Sequence, residues 1–309
     1  MKQTALIRGV IFGLLAAAIW GGMYVVSDVV LKTVPPFTLL TFRLLLGILV
    51  LGIMVYLQRG RLQQPTTSQV IQLIGIGILG FGISVGAQFV GTDESSAING
   101  SLVTSASPAF ILVFAALLLH EKLTLQRIAA VVLATVGVLV IIDPGKADFS
   151  SETFRGNVAL AIAAVTWGLY SILIRRVSVK IDTLIVTLIA FIGGLLLTVP
   201  ASIMELQTRP IGTIDTGTII GILYLGVVST AGAMWLWNRA FALIDASIAS
   251  LTFFAQPLVG TLLSVILLKQ QILPPLIIGG ILIIFGVLLS IYSPGKILSF
   301  SKTAKLSSE

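Results

Sequence analysis

The sequence predicts an all-α membrane protein: ten transmembrane helices arranged as two inverted five-helix repeats. Three observations carry this. Of 309 residues, 57% are hydrophobic and only 10% are charged, with a mean hydropathy of +1.09. Soluble domains carry about 25% charged residues, so this chain cannot build a water-facing surface over most of its area. The apolar residues gather into long runs separated by short charged clusters. Finally, the first half of the chain recurs in the second.

A helix needs about 20 apolar residues to cross a hydrocarbon core of roughly 30 Å. The first five runs are 7–29, 37–57, 70–90, 95–119 and 125–142; the second five are 158–174, 184–204, 218–243, 246–268 and 276–292. They read as helices because lipid offers the backbone no hydrogen-bond partners. They are also too long and too uniformly apolar for the alternating strands of a barrel. The opening MKQTALIR leads into the first run without a small-residue cleavage site, so that segment reads as a first spanning helix and not a removed leader. With loops assigned alternately to two sides, thirteen of the 19 Lys and Arg fall on the side holding both termini and five on the other, Arg43 lying inside a span. The positive-inside rule then places both termini in the cytoplasm of a multi-pass inner-membrane protein.

The repeat is visible in short stretches. AAAIWGGMY (16–24) answers AAVTWGLYS (163–171), with Trp20 and Trp167 offset by 147. Residues 107–140 match 256–289 at an offset of 149, which pairs Pro108 with Pro257 and Gly137 with Gly286. The division expected is residues 1–147, residues 148–295 and a cytoplasmic tail at 296–309. Five spans is an odd number, so the second unit enters the membrane from the opposite side. Inverted repeats of this kind recur in secondary transporters, with the binding site near the midplane at the repeat interface.

The content excludes several function classes. There is no cysteine and one histidine, His120, so no thiolate or His/Cys metal centre can be assembled, and no cofactor is expected. There is no carboxylate pair at depth and no phosphate-binding Gly-Lys loop, which argues against a membrane enzyme and leaves no catalytic residues to name. The net charge of +7 belongs to orientation-setting loops rather than to nucleic-acid binding. The partners expected are a lipid bilayer and a small-molecule substrate. No acid sits at mid-membrane, so no proton carrier is named, and coupling to a proton or a counter-substrate is left open.

Trp20 and Trp167 lie well inside their spans, away from the interfacial belts where tryptophan is usually found. Helix packing beside the adjacent glycine and lining of a central cavity are both open to them. Tyr24 and Tyr170 follow within about one turn and could extend each tryptophan into an aromatic wall. Gln88 and Asn99 in the third and fourth spans, with Trp235 and Gln256 in the eighth and ninth, complete the candidate binding set. A buried primary amide is costly unless partnered, so Gln88 should face the bundle. Asn238 reads as a residue near the solvated end of its helix.

Pro108 and Pro257 fall near the middles of their spans, where a proline removes one ladder bond and kinks the helix; both are candidate hinges. Arg43 stands about seven residues past Pro36, roughly 10 Å deep at 1.5 Å per residue. Intramembrane arginines are costly and usually paired or functional. A structural or gating role is favoured for Arg43, with Asp28 as its candidate partner; Leu188 stands opposite it in the second half. Glu121 at the end of the fourth span is a candidate gating or structural acid, and His120 beside it reads as solvated surface.

These residues resemble the EamA-type branch of the drug/metabolite transporter superfamily over about residues 8–292. The resemblance rests on the AAxxWG start of each half, TFRLLLG around Arg43, and AINGSLVTSASPAFILVFAALLLHEKLT followed by GVLVI. In the second half it rests on WNRAFALIDASIASLTFFAQPLVGTLLSVILL. It implies ten helices around a central cavity and export of small metabolites such as amino acids. The glutamate the family carries at the end of the fourth span is Glu121 here, while its second-half counterpart is Gln270, which makes the halves unequal. The function expected is export of amino acids or related amphiphiles by alternating access. The alternatives are a carrier of drug-like compounds or other metabolites, importers included, and, from another class, a non-transporting scaffold or channel.

Overall fold

The computed structural model describes residues 2–142, 145, 150–268 and 274–291. Gln270, Tyr292, Asp148 and the tail at 296–309 lie outside the described residues. Among those described, every regular element is helical. Seven helices are long and apolar enough to cross a membrane, and Leu125–Val140, Ala246–Gly260 and Ile277–Leu289 are shorter apolar helices.

In chain order, α1 (Lys2–Leu31) and α2 (Pro36–Gln58) precede a third rod built of α3 (Thr67–Gly77), a π-helical segment π1 (Ile78–Val85) and α4 (Gly86–Glu94). Helices α5 (Ala97–Thr104) and α6 (Ser107–Leu119) are followed by α7 (Leu125–Ile142). The second half has α8 (Phe154–Ser178), α9 (Thr183–Thr208), and a rod of α10 (Thr216–Leu223), π2 (Tyr224–Gly232) and α11 (Ala233–Leu243). It ends with α12 (Ala246–Leu251), a 3-10 turn at Thr252–Phe254, α13 (Ala255–Leu268) and α14 (Pro274–Ile291).

Each long helix divides its apolar residues between two solvents. Helix α1 leaves Ile7, Ile11, Leu15, Val25 and Val29 exposed while burying Ala16, Trp20, Met23 and Tyr24. That outward stripe is where lipid belongs. Hydrophobicity does not drive the inner faces together, because lipid is as apolar as they are; small residues and close packing do. A Cβ on Gly137 of α7 would stand 2.7 Å from the Gly279 carbonyl oxygen of α14, and one on Gly286 of α14 would stand 2.8 Å from the Ala130 carbonyl of α7. The same reciprocity holds beside the paired tryptophans. A Cβ on Gly21 would lie 2.8 Å from the Gln256 carbonyl of α13, and one on Gly168 would lie 2.8 Å from Phe110 Cβ of α6. Thus α1 packs on α13 and α8 on α6 through the glycine after each tryptophan.

Each proline lies inside an apolar helical stretch, Pro108 in Leu102–Leu119 and Pro257 in Ala246–Gly260, at a point where the ladder changes. Helix α5 ends at Thr104 and α6 restarts at Ser107, with Pro108 in its first turn; Ala106 N–H donates to the Val103 carbonyl across the break at 3.1 Å. Pro257 likewise stands in the first turn of α13, after the 3-10 turn. Where the α-ladder has already changed over, proline has fewer regular bonds to remove, so it is accommodated there. The ladder breaks just before each proline, and the proline begins the next segment.

Several helix starts use acidic side chains. Asp182 and Asp215 cap their own helices, accepting from Leu184 N–H at 2.8 Å and from Thr218 N–H at 2.7 Å. The start of α2 follows Pro35, which has no side-chain acceptor; Glu205 from the end of α9 supplies one, accepting from Phe37 N–H at 3.2 Å and Thr38 N–H at 2.9 Å.

Candidate functional site

Two tryptophans from the repeated segments meet at the centre. Trp20 and Trp167 are edge to face with ring centroids 5.7 Å apart, and Trp237 packs on both at 5.3 and 6.2 Å. Phe253 closes a further side, 6.1 Å from Trp20. Edge-to-face and offset arrangements suit the ring quadrupoles.

Beside this cluster lies a narrow cavity lined by Trp20, Met23, Tyr24, Arg43, Ser84, Val85, Gln88, Thr104, Ser107, Ala163, Trp167, Met234, Phe253 and Gln256. Its free volume of about 30 Å³ accommodates about two waters, so a larger occupant requires the helices to part. Both halves of the chain contribute to the lining. A directional chain of hydrogen bonds runs along one side: Gln88 Nε2 donates to Tyr24 Oη at 2.8 Å, Tyr24 Oη is 2.6 Å from Thr104 Oγ1, and Thr104 donates to the Gly100 carbonyl at 2.6 Å. Trp20 Nε1 donates to the Ser229 carbonyl at 3.0 Å.

Arg43 comes from α2 and is 1% exposed. Its Nε donates to Thr230 Oγ1 at 2.9 Å, and its guanidinium carbon lies 4.8 Å from the centre of the Phe89 ring. Asp28 is not its partner: that carboxylate is half exposed and pairs with Lys32 at 3.7 Å, one turn along the same helix. Position i+4 is within reach of a side chain on the helix surface, whereas Arg43 points into the bundle.

Of the eight residues expected to bind substrate, Trp20, Tyr24, Gln88, Trp167 and Gln256 line the cavity, and Asn99, Tyr170 and Trp235 do not. Asn99 is buried against α8, its Nδ2 donating to Asn157 Oδ1 at 2.8 Å. Tyr170 turns away because it follows Trp167 by three residues, whereas Tyr24 follows Trp20 by four; at 100° per residue the two tyrosines flank their tryptophans on opposite sides. Tyr170 instead donates to Asn238 Oδ1 at 3.1 Å, and Asn238 Nδ2 donates to Thr187 Oγ1 at 3.0 Å. Asn238 is therefore fully buried, not solvated at a helix end. Trp235 faces outward to Phe12, at 6.0 Å, beside a separate groove that includes Arg8 and Arg239. Trp237, two residues on and about 200° round the helix, takes the central place.

The two π-helical segments were not anticipated. They lie at matching positions in the two halves; one brings Ser84 and Val85 to the cavity wall, and the other brings Ser229 and Thr230 to Arg43. Wide turns of this kind mark functional segments in many helices. The glycines in ILGFGISV and YLGVVSTAG were the available signal.

Charged clusters stand at the two ends of α1. Near its start, where Gly9 meets Ile244, the Glu121 carboxylate accepts from Ala246 N–H at 2.9 Å, Ser247 N–H at 3.2 Å and the Ser247 hydroxyl. Arg127 reaches Glu121 at 3.4 Å and Asp245 at 2.6 Å, and Arg175 lies 3.6 Å from both acids. Glu121 thus caps α12 from another helix; Asp245, in the N-cap position, makes no cap bond of its own because Arg127 holds its carboxylate. His120 ends α6 in the left-handed region at φ 54° and is exposed. Near the other end of α1, Arg209 donates to the Leu31 carbonyl at 2.7 Å and to Asp93 at 3.1 Å. The hydrogen bond to Asp93 holds the Arg209 guanidinium above its ordinary pKa. Among the described residues no group of acids and histidines is arranged to hold a metal ion.

A family description, EamA-like transporter family, matches this chain twice, over residues 7–143 and 154–292. The chain belongs to the EamA-like transporter family. It is 27% identical over 277 residues to an uncharacterized transporter of Archaeoglobus fulgidus, covering 89% of this chain and 94% of that one. It is 27% identical over 239 residues to the uncharacterized transporter YyaM of Bacillus subtilis, covering 75% of each. A solved crystal structure superposes with a TM-score of 0.77 at 23% identity, covering 91% of this chain and 96% of the other. That likeness concerns the fold. As an EamA-like protein the chain is a multi-pass membrane transporter of small molecules, a family of carriers and not of enzymes.

Proposed function

We propose that this EamA-like transporter exports amino acids or related amphiphiles across the inner membrane by alternating access, with both termini cytoplasmic. The observation that carries the reading is the central cavity, lined from both halves by aromatic rings and neutral polar groups. An aromatic wall suits an apolar side chain, and amides and hydroxyls suit a polar headgroup without adding charge. In this reading, residues 1–147 and 148–295 are two units of opposite orientation with five spans each, and residues 296–309 are a tail. The reciprocal glycine contacts of α1 with α13 and α8 with α6 support such a relation. The Glu121 cluster closes one end and the Asp93–Arg209 pair the other. Pro108 and Pro257, beside the breaks in α5–α6 and α12–α13, serve as hinges between an inward-open and an outward-open state.

The decisive experiment is counterflow in proteoliposomes loaded with a panel of amino acids. Saturable exchange of at least one supports the proposal, and absence of exchange with the whole panel overturns the amino-acid assignment. Reporters inserted near residue 148 and after residue 309 should read outside and cytoplasmic respectively; the reverse at either place refutes the ten-span topology. Replacing Pro108 or Pro257 with Ala should slow exchange while leaving ligand affinity nearly unchanged. Wild-type rates in both variants would reduce the prolines to packing features.

A further inference from the structure

The cavity contains a cation with no counter-ion. Arg43 is 1% exposed, and every polar partner it has is uncharged: Thr230 Oγ1, Ser229 Oγ at 3.5 Å and Met23 Sδ at 3.6 Å. A thioether is a weak acceptor, so these contacts orient the guanidinium more than they compensate it. Its Nη1 has no partner. No lining residue is acidic, and among the described residues no carboxylate pairs with Arg43. Snorkelling would leave the headgroup exposed, which 1% exposure rules out. The corresponding helix of the second half, α9, carries no Lys or Arg along Thr183–Thr208, so the fold of a half does not call for this charge.

Arg43 is joined by three more lining groups whose buried polar atoms lack partners: Trp167 Nε1, Ser107 Oγ and Gln256 Oε1. Most buried polar groups in native proteins are satisfied, and a group left unsatisfied invites explanation by a missing ion, water or ligand. Here the set is specific. Arg43 and Trp167 can only donate, Ser107 can donate, and Gln256 Oε1 accepts. A carboxylate is acceptor-only, with two oxygens and about four lone-pair positions, and a guanidinium is its matched partner.

We propose that Arg43 binds the carboxylate of the cargo, with Trp167 Nε1 and Ser107 Oγ as supporting donors, and that an ammonium group on the cargo is dispensable. This rests on the reading of the cavity as the cargo site. It narrows the substrate class to apolar or aromatic carboxylates, zwitterionic or not, and excludes organic cations. An added cation would enter a buried cavity that already holds one and offers it no acid.

The test uses the purified full-length protein and the fluorescence of its tryptophans, two of which line the cavity, at pH 7. Three probes of one shape are titrated: 3-phenylpropionate, phenylalanine and phenethylamine. A hydrogen-bonded charge is worth enough that losing it should weaken binding about tenfold or more. The expected result is saturable quenching by 3-phenylpropionate and phenylalanine, with phenethylamine at least about tenfold weaker by the same reasoning. Arg43→Gln should then weaken 3-phenylpropionate toward the level of phenethylamine, while phenethylamine, relieved of the like charge, binds no more weakly than to wild type. Should Arg43→Gln not fold, Trp167→Phe and Ser107→Ala each delete one donor, and each should weaken 3-phenylpropionate while leaving phenethylamine unchanged. Equal binding of amine and acid, acid binding indifferent to every one of these substitutions, or no binding by any probe overturns the inference. Counterflow keeps the two readings apart. Arg43-dependent acid binding without flux sustains the carboxylate site and sinks the transport proposal. Flux of an amine cargo, with acid binding indifferent to Arg43, does the opposite.

Discussion

Glu121→Gln should loosen one end of the molecule and not the other. The wild-type carboxylate, 10% exposed, accepts from two backbone N–H groups at the start of α12 and from the Ser247 hydroxyl, and it shares Arg127 and Arg175 with Asp245. Hydrogen bonds to a charged group contribute about 1.5–3 kcal/mol each. The amide keeps one acceptor oxygen, and Asp245 stands at the N-cap and can turn to cap α12. The net loss should therefore be that of a weakened cap, about 1–2 kcal/mol. If this cluster holds its end shut, the population open at that end rises by a factor of about 5–30. The chain has no cysteine, so a single Ser107→Cys in the cavity wall reports access without background. An impermeant maleimide applied to the face bearing Glu121 should label the double variant about 5–30 times faster than Ser107→Cys alone, by the same conversion. Labelling from the other face should fall or stay level. An unchanged rate from the Glu121 face, with the protein still folded, refutes the gating role and leaves Glu121 as a helix cap alone.

Other outcomes follow from single contacts. Asp93→Asn should weaken the clasp on Arg209 and speed labelling of Ser107→Cys from the opposite face, and acceleration from the Glu121 face instead would contradict the two-ended arrangement. Gly21→Ala should lower the melting temperature, because its Cβ would meet the Gln256 carbonyl at 2.8 Å and the Gly260 nitrogen at 2.9 Å, and overpacking typically costs about 1–3 kcal/mol. Gly52→Ala, with nothing within 4 Å, should raise it, because Ala favours a helix interior over Gly by about 0.5–1 kcal/mol. Asp215 ionises more easily in the folded chain than its ordinary 3.8, chiefly because the Thr218 hydroxyl donates to it. Its contribution to stability is thus complete above 3.8 and lost as the pH falls below it. Asp215→Ala should accordingly separate from wild type in thermal unfolding at pH 7, and the gap should narrow as the pH is taken below 3.8.

The sequence alone revealed the lipid solvent, the apolar runs and their recurrence, because each is a local sum over composition. It also placed Trp20, Trp167, Gln88 and Arg43 well inside their apolar runs, since that is only distance along the chain. Phase around the helix was partly legible: the four-residue and three-residue spacings of Tyr24 and Tyr170 from their tryptophans already point the tyrosines apart. Direction toward the centre was not legible. In a soluble helix the polar face names the outside, but here lipid and protein interior are both apolar, so the hydrophobic pattern does not choose between Trp235 and Trp237. The wide turns of π1 and π2 rotate everything after them relative to an α register, which puts Ser229 and Thr230 on Arg43. Glu121 illustrates the same limit: its reading as an end-of-helix acid was local, while its partners Ala246, Ser247 and Asp245 stand more than 120 residues away. Only the packed structure brings them together, because the acceptors that a helix start lacks in its own sequence can be supplied by any chain segment that folding places beside it.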